Sequence, residues 1–370
     1  MKKVSVFLCA ALIFALFSGC GTTPAPTPTT APTPAGPGGE PVTTPETPAT
    51  GGVVNFYNWG DYIDEDILAE FTAETGIKVN YMLYETNEQL YSILRQGGST
   101  FDVIIPSDYM ISRLIAEDML ETINLENVPN YALIADEYKG MDYDPTGEYA
   151  VPYMWGTVGI IYNTAMIEGE IDSWAALFDE EYAGQILMFD NARDAMGIAL
   201  LYLGYSVNTT DADELKAAYD LLAEQKPLLQ AYVMDQIFDK LEGGEAAIGP
   251  YYAGDYLMMS EANPDLAFVV PKEGTNIFVD CMCIPKGAEN KENAEALINF
   301  LCRTDISLKN SEYIGYTSPN SEVKDLIDLD DEAIEIMFPS AEVLERCEFF
   351  LHLPQDILDL YNEYWIQLKA

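Results

Sequence analysis

Three observations predict an α/β fold of two lobes around one cleft. From Val53 to Pro106, apolar strand-like runs alternate with amphipathic helical runs in the order βαβαβ, which implies parallel pairing. A second alternation starts near Gly156. In both regions the strands run out into clusters of acids and aromatic rings: Trp59-Gly60-Asp61-Tyr62, Glu85-Thr86-Asn87-Glu88, Ser107-Asp108-Tyr109, and the segment from Pro250 to Asp255. Strand carboxyl ends lie side by side at the crevice of an open α/β sheet, so these clusters are expected to converge there.

The chain opens with Lys2 and Lys3, an uncharged apolar run from Val4 to Phe17, and Ser18-Gly19-Cys20, the pattern of an export signal over residues 1–19. No other uncharged apolar run is long enough to span a bilayer. A cleavage site followed at once by cysteine resembles the lipobox of bacterial lipoproteins, with Phe17 where that pattern prefers leucine. The resemblance implies lipid attachment at Cys20; an ordinary secretory signal with an incidental cysteine is the alternative. From Gly21 to Gly52, nine of 32 residues are proline and ten are threonine, with no apolar periodicity. Residues 20–52 are therefore expected to be a tether, reaching about 100 Å if fully extended as polyproline.

The first strand is expected at Val53 to Asn58, followed by a helix from about Asp64 to Thr75 that Gly76 ends. Lys78 to Tyr84 reads as a strand. Asn87 can cap a helix with Leu90, Ile93 and Leu94 on one face, stopped at Gly97-Gly98, and Phe101 to Pro106 is the third strand. In the second region, strands are expected at Thr157 to Tyr162 and Gln185 to Phe189. Asp190-Asn191 then opens a helix burying Ala192, Ala195, Leu200 and Leu203. Ala246 to Gly249, Leu266 to Val270 and Ile277 to Ile284 read as further strands, and Glu292 to Cys302 and Asp356 to Leu368 as late amphipathic helices. Periodicity does not assign those helices to a lobe.

Of 370 residues, 61 are acidic and 18 basic, a net charge of −43, and only Lys2, Lys3, Glu40 and Glu46 of these precede residue 53. Such a surface repels phosphates, so nucleic-acid binding is disfavoured; it steers cations inward, and it also serves simply as a solvated, soluble face. Cys281 and Cys283 alternate along an apparent strand and face one side, with no nearby histidine, so zinc is not expected. Buried thiols and a disulfide involving Cys302 or Cys347 both stay open.

His352 is the sole histidine, and its neighbours Phe350, Leu351 and Leu353 suggest a packed or capping residue rather than a catalytic base. No serine stands in a nucleophile elbow and no glycine-rich phosphate loop follows a strand, which disfavours nucleophilic catalysis. An acid-pair glycoside hydrolase is the remaining enzymatic alternative, although so many acids guarantee accidental pairs. The acid-aromatic clusters suit an organic cation better: an ammonium group leaving water needs anionic acceptors and ring faces, and a polyamine adds methylenes to sandwich. For any single ring the simpler reading is core packing, and for Asp61, Asp194, Asp255 and Asp280 a helix cap or surface charge. That simpler reading is strongest for Asp194, in a first helical turn, and weakest for Asp280, in an apolar strand.

Over nearly all of 53–370, the chain resembles the spermidine/putrescine-binding proteins of bacterial polyamine ABC transporters. The segments that carry the resemblance are FYNWGDYI, FTAETGIKV, FDVIIPSDY, PYMWGTVGI, DNARD, PKEG, IGYTSPN and YNEYWIQLK. The resemblance implies the two-lobed clamp of periplasmic binding proteins, each lobe a mainly parallel sheet flanked by helices, joined by crossing hinge strands. Lobe one would comprise 53–157 and 281–325, and lobe two 158–280 and 326–370. It also implies a non-catalytic, cofactor-free and metal-free receptor, extracytoplasmic, monomeric and lipid-anchored, that closes on a polyamine and passes it to a membrane permease. Trp59, Tyr62 and Tyr109 would line one side, with Tyr252, Phe278 and Tyr316 completing an aromatic box. Asp61, Asp194, Asp255 and Asp280 would pair with amino groups, and Ser107 would be a lesser contact. Asn191 stands where spermidine-type members have an acid, Tyr252 and Phe278 where they have tryptophan. Ala253-Gly254-Asp255 looks more like putrescine-type members, and a glutamine contact has no match around Phe350, so chain-length preference stays open. Another small solute on the same fold, such as a metal ion, a sugar or a thiamine-like cation, is the alternative.

Overall fold

The computed structural model describes residues 51–97 and 100–370; the signal segment, Cys20, the tether as far as residue 50, and Gly98 lie outside the described residues. The first strands and helices are β1 (Gly52–Trp59), α1 (Glu65–Thr75), β2 (Ile77–Tyr84), α2 (Asn87–Gln96), β3 (Val103–Ile104), α3 (Asp108–Ala116) and β4 (Leu120–Glu121). Then come β5 (Ala150–Asn163), β6 (Ile186–Phe189), α4 (Ala192–Tyr202), α5 (Ala212–Gln225), β7 (Leu229–Val233), α6 (Ile237–Glu242), β8 (Ile248–Tyr252), α7 (Ala253–Ala262) and β9 (Leu266–Val269). The chain finishes with β10 (Asn276–Pro285), α8 (Lys291–Leu301), α9 (Thr304–Ile314), α10 (Asp331–Met337), α11 (Ala341–Leu344), β11 (Glu348–Phe349) and α12 (Gln355–Lys369).

Local chemistry fixes the element ends. Asp64 caps α1 by accepting from the Asp66 N–H at 3.0 Å, and Gly76 closes it in the left-handed region at φ 73°. The cap of α2 is Thr86, not Asn87: the Thr86 hydroxyl accepts from the Gln89 N–H at 3.1 Å, and Asn87 is the first helical residue. A threonine caps as an asparagine does, and the one-residue difference leaves the Asn87 amide free for the cleft.

The strands run β2-β1-β3-β10-β5-β8-β6-β7, with β4 and β11 on β10 and β9 on β5. β1 lies parallel to β2 and β3, and β6 parallel to β7 and β8. These two parallel groups are the two halves of the sheet, and β5 runs through both. Its residues 150–157 pair antiparallel with β10, and 158–163 with β8 and β9. β5 begins at Ala150 rather than Thr157, because Pro152 and Gly156 interrupt the sequence pattern without interrupting the strand. Met154 faces Asp280 and Pro152 faces Cys281, which leaves Tyr153 as the extra residue of a bulge, where a proline without an N–H is tolerated.

Three apolar cores follow. Val54, Phe56, Ile67, Phe71 and Leu297 pack on one face of the first group, and Tyr57, Leu90, Ile111, Val279 and Cys283 on the other. Ile160, Leu187, Phe189, Leu200 and Ile248 pack in the second group. Packing thus seats α8 on the first group, and α12, through Ile357, Tyr361 and Leu368, on the second. α4 is buried from Arg193 to Leu201, but Leu203 lies past its end and is exposed. His352 is exposed as well, so it is neither packed nor buried as its apolar neighbours suggested. Cys281, Cys283, Cys302 and Cys347 are all free thiols, the first two facing one core.

Candidate functional site

The carboxyl ends of β1, β2, β3, β6, β7 and β8 open onto one cleft enclosing about 940 Å³, part of it open to solvent. Trp59, Asp61, Tyr62, Ser107, Tyr109, Asp194, Tyr252, Asp255, Phe278, Asp280 and Tyr316, all singled out from the sequence, line it together. Seven carboxyl groups and ten aromatic rings share that lining, with no lysine, arginine or histidine among the described residues.

Asp280 is 5 % exposed, opposite the β5 bulge and bridged to Ser107. The Tyr62 hydroxyl donates to Asp280 Oδ2 at 2.7 Å, while Oδ1 is buried without a partner. An orphaned buried carboxylate oxygen is expensive, and a ligand N–H aimed at it removes the expense. Burial pushes the Asp280 carboxyl up to about 6 against the pull of the Ser107 and Tyr62 hydroxyls.

Tyr62 is itself locked in place. Its carbonyl accepts from the Tyr153 hydroxyl at 2.8 Å, and that hydroxyl accepts from Asn310 Nδ2 at 2.9 Å. The Tyr62 ring meets Tyr316 edge-on at 4.9 Å; Phe278 lies 6.0 Å from Tyr316, and Tyr252 5.3 Å from Phe278, each pair again edge to face. Gly254 and Gly156 make room for this box: a Cβ on Gly254 would lie 2.2 Å from the Tyr316 ring, and one on Gly156 2.9 Å from Phe278. Tyr316 Oη donates to Asp255 Oδ2 at 2.9 Å. Burial raises Asp255 to about 7, with the Tyr316 hydrogen bond opposing and the charges of Asp235 and Asp61 adding to it. Asp61 is exposed at the mouth with φ 46°, a left-handed conformation that aspartate tolerates better than most residues.

At the other end, Asp194 takes a 2.6 Å hydrogen bond from Asn191 Nδ2. Burial raises it to about 7, Glu88 adding to the rise and Arg193 opposing it. Trp59 is anchored by its indole N–H to the Ile105 carbonyl at 2.8 Å and packs on Tyr84 at 4.5 Å. The Asn87 amide holds Ser107 Oγ and Tyr109 Oη at 3.1 and 3.2 Å, and Tyr109 donates to Glu88 at 3.0 Å.

Asp108 and Tyr251, members of the strand-end clusters but not singled out as contacts, also line the cleft, as do Asp235 and Asn276, which the sequence pattern does not reveal. Asp235 follows β7 as the other clusters follow their strands, and accepts from the Tyr251 hydroxyl at 3.2 Å. Recognising β7 would have found it. Asp108 is 1 % exposed with Oδ2 orphaned; burial raises its carboxyl well above the ordinary range. Taken together, the cleft can strip water from a cation, accept its N–H groups on carboxylates and cover its hydrocarbon with rings.

Comparisons with known proteins agree with this geometry. The model of the bacterial extracellular solute-binding protein family matches residues 66–335. The spermidine/putrescine-binding periplasmic protein of Salmonella typhimurium is 36% identical over 320 residues, 85% of this chain and 91% of that protein. Among solved structures, the spermidine/putrescine ABC transporter substrate-binding protein of Streptococcus pneumoniae matches with a TM-score of 0.75 and 35% identity, covering 86% of this chain and 98% of that one. A lipoprotein of Treponema pallidum matches at 0.78 and 26% identity, covering 85% and 99%.

Proposed function

The chain belongs to the bacterial extracellular solute-binding proteins, which are transport proteins and not enzymes, and we propose that its solute is a linear polyamine of the putrescine or spermidine type. The observation that carries this reading is Asp280 Oδ1, unpartnered among the described residues and buried in a cleft of acids and rings whose described lining holds no cationic side chain. Ammonium groups would take Asp280, Asp194 and the Asp255–Asp61 end, and methylenes would run between Trp59, Tyr109 and the box of Tyr62, Tyr252, Phe278 and Tyr316, with Ser107 a lesser contact. The names of relatives support the same class.

Lobe one, over 53–157 and 281–325, and lobe two, over 158–280 and 326–370, would close because the ligand touches both only when shut; differential affinity is what moves such an equilibrium. A monomer anchored through lipid on Cys20 would then present the loaded clamp to the permease of an ABC transporter. A thermal-shift panel tests the ligand class, since a ligand that binds only the folded state raises the melting temperature with occupancy. Putrescine or spermidine at 1 mM, roughly 1,000 times a micromolar Kd, should add about 4.1 kcal/mol of stability, with the shift much smaller in Trp59→Ala. A shift produced instead by a sugar, a divalent metal or thiamine, with none from polyamines, would refute the assignment.

A further inference from the structure

Arg193, adjacent in sequence to Asp194, lies behind the cleft lining against Tyr109 and Phe350, yet among the described residues it forms no ion pair. It is 4 % exposed. Its guanidinium carbon lies 4.4 Å from the Phe350 ring centre, 5.3 Å from Tyr361 and 5.7 Å from Tyr109. Nη2 makes only two long hydrogen bonds, 3.4 Å each, to Asn208 Oδ1 and the Leu351 carbonyl, and Nε and Nη1 are buried with none. A fold that needed this charge only for packing would be better served by an apolar residue of the same length, because unpaired guanidinium donors are costly to bury.

We propose that Arg193 is a positioning residue for the amine end of the cleft. Its aromatic cage withholds the guanidinium from Asp194, so no internal ion pair competes with an incoming ammonium group, while its fixed charge biases Asp194 toward the ionised form that an ammonium requires. The inference rests on the polyamine reading above. The groups facing Asp194 are Glu88 from α2, Tyr109 from α3, Tyr251 and Tyr252 from β8, and Arg193 itself. Arg193 is the only cation among them. Its ring contacts also join Tyr109, on the β3 side of the cleft, to Phe350 and Tyr361 on the other, so the same cage holds the cleft walls in register.

Removing the charge has two opposed effects on a cationic ligand. Asp194 protonates more readily, which weakens binding at low pH, and a repulsive neighbour disappears, which strengthens it at high pH. Titration calorimetry with spermidine and putrescine at pH 6.0 and 8.5 should therefore show Arg193→Met about tenfold weaker than wild type at pH 6.0 and equal or tighter at pH 8.5. Arg193→Lys, which keeps the charge and loses the planar stack, should follow the wild-type pH profile. Arg193→Gln replaces the methionine variant if circular dichroism shows that the latter is unfolded. Equal losses at both pH values, or a lysine variant that shifts as the uncharged one does, would overturn the inference alone. Absence of wild-type binding to either amine would overturn the polyamine reading, and this inference with it.

Discussion

Asp280→Asn should move stability and affinity in opposite directions. In the ligand-free protein the buried carboxyl stands at about 6 against its ordinary 3.8. A carboxyl raised on folding imposes no penalty below the lower value, and the penalty grows as pH rises through the upper one. At pH 8 it therefore costs the empty protein about 3 kcal/mol. An amide of the same shape removes that penalty, which is already net of the pull of the Ser107 and Tyr62 hydroxyls, and still accepts from Tyr62. The empty variant should thus melt a few degrees higher than wild type at pH 8. The same change turns the orphaned Oδ1 position into a donor or a neutral acceptor. Removing one partner of a buried charge pair costs about 2 to 5 kcal/mol, so polyamine affinity should fall between about 30-fold and about 4,000-fold. Thermal melts of the empty proteins and calorimetry with spermidine and putrescine check both halves. A variant that melts lower and binds as well as wild type would refute the reasoning.

Two further outcomes follow from the same geometry. Asp194 and Asp255 stand at about 7 and Asp280 at about 6, all raised chiefly by burial, so protons compete with ammonium groups. Affinity should be full at pH 8.5 and decline from pH 7 to 5.5, with binding near pH 6.5 releasing protons seen as a heat that varies with the buffer's ionisation enthalpy. The empty protein should conversely lose stability as pH rises from 4 to 8; a binding curve flat from pH 5.5 to 8.5 would contradict both. Gly254→Ala places a methyl 2.2 Å from the Tyr316 ring, beneath Gly315, whose φ of 72° fixes the turn. Displacing Tyr316 breaks its 2.9 Å bond to Asp255, so about 1 to 3 kcal/mol of stability and roughly tenfold of affinity should be lost, and unchanged melts and titrations would count against the packing described.

What the sequence made legible was local. Strands ending in acid-aromatic clusters could be read because each cluster is contiguous, and one topological rule then brings distant clusters to one crevice. Tyr62 and Asp280 are 218 residues apart, and nothing in either segment states their 2.7 Å contact; the strand-end rule anticipates only their neighbourhood. The sequence pattern of β5 is shorter than the strand because Pro152 and Gly156 punctuate it, whereas the bulge at Tyr153 and the ring of Phe278 over Gly156 make both residues part of a central strand. β7, and Asp235 after it, leave no clear pattern in the sequence, since a half-buried strand between two helices shows little alternation. The α2 cap fell one residue early because threonine and asparagine serve equally there. His352 shows the reverse case, a polar residue among apolar neighbours that turns outward. The cage around Arg193 has no sequence signature at all, because its three rings come from α3, α12 and the segment between β11 and α12.

The central claim is that buried carboxylate and aromatic faces select an organic polycation. Calorimetry of the wild-type protein at pH 8, with putrescine and spermidine titrated separately against sodium chloride and lysine as controls, tests it most directly. The account predicts saturable one-to-one binding of at least one polyamine with Kd of about 1 µM or tighter, roughly −8 kcal/mol, and no saturable heat from sodium or lysine. Polyamine heats no larger than those of the controls would contradict it.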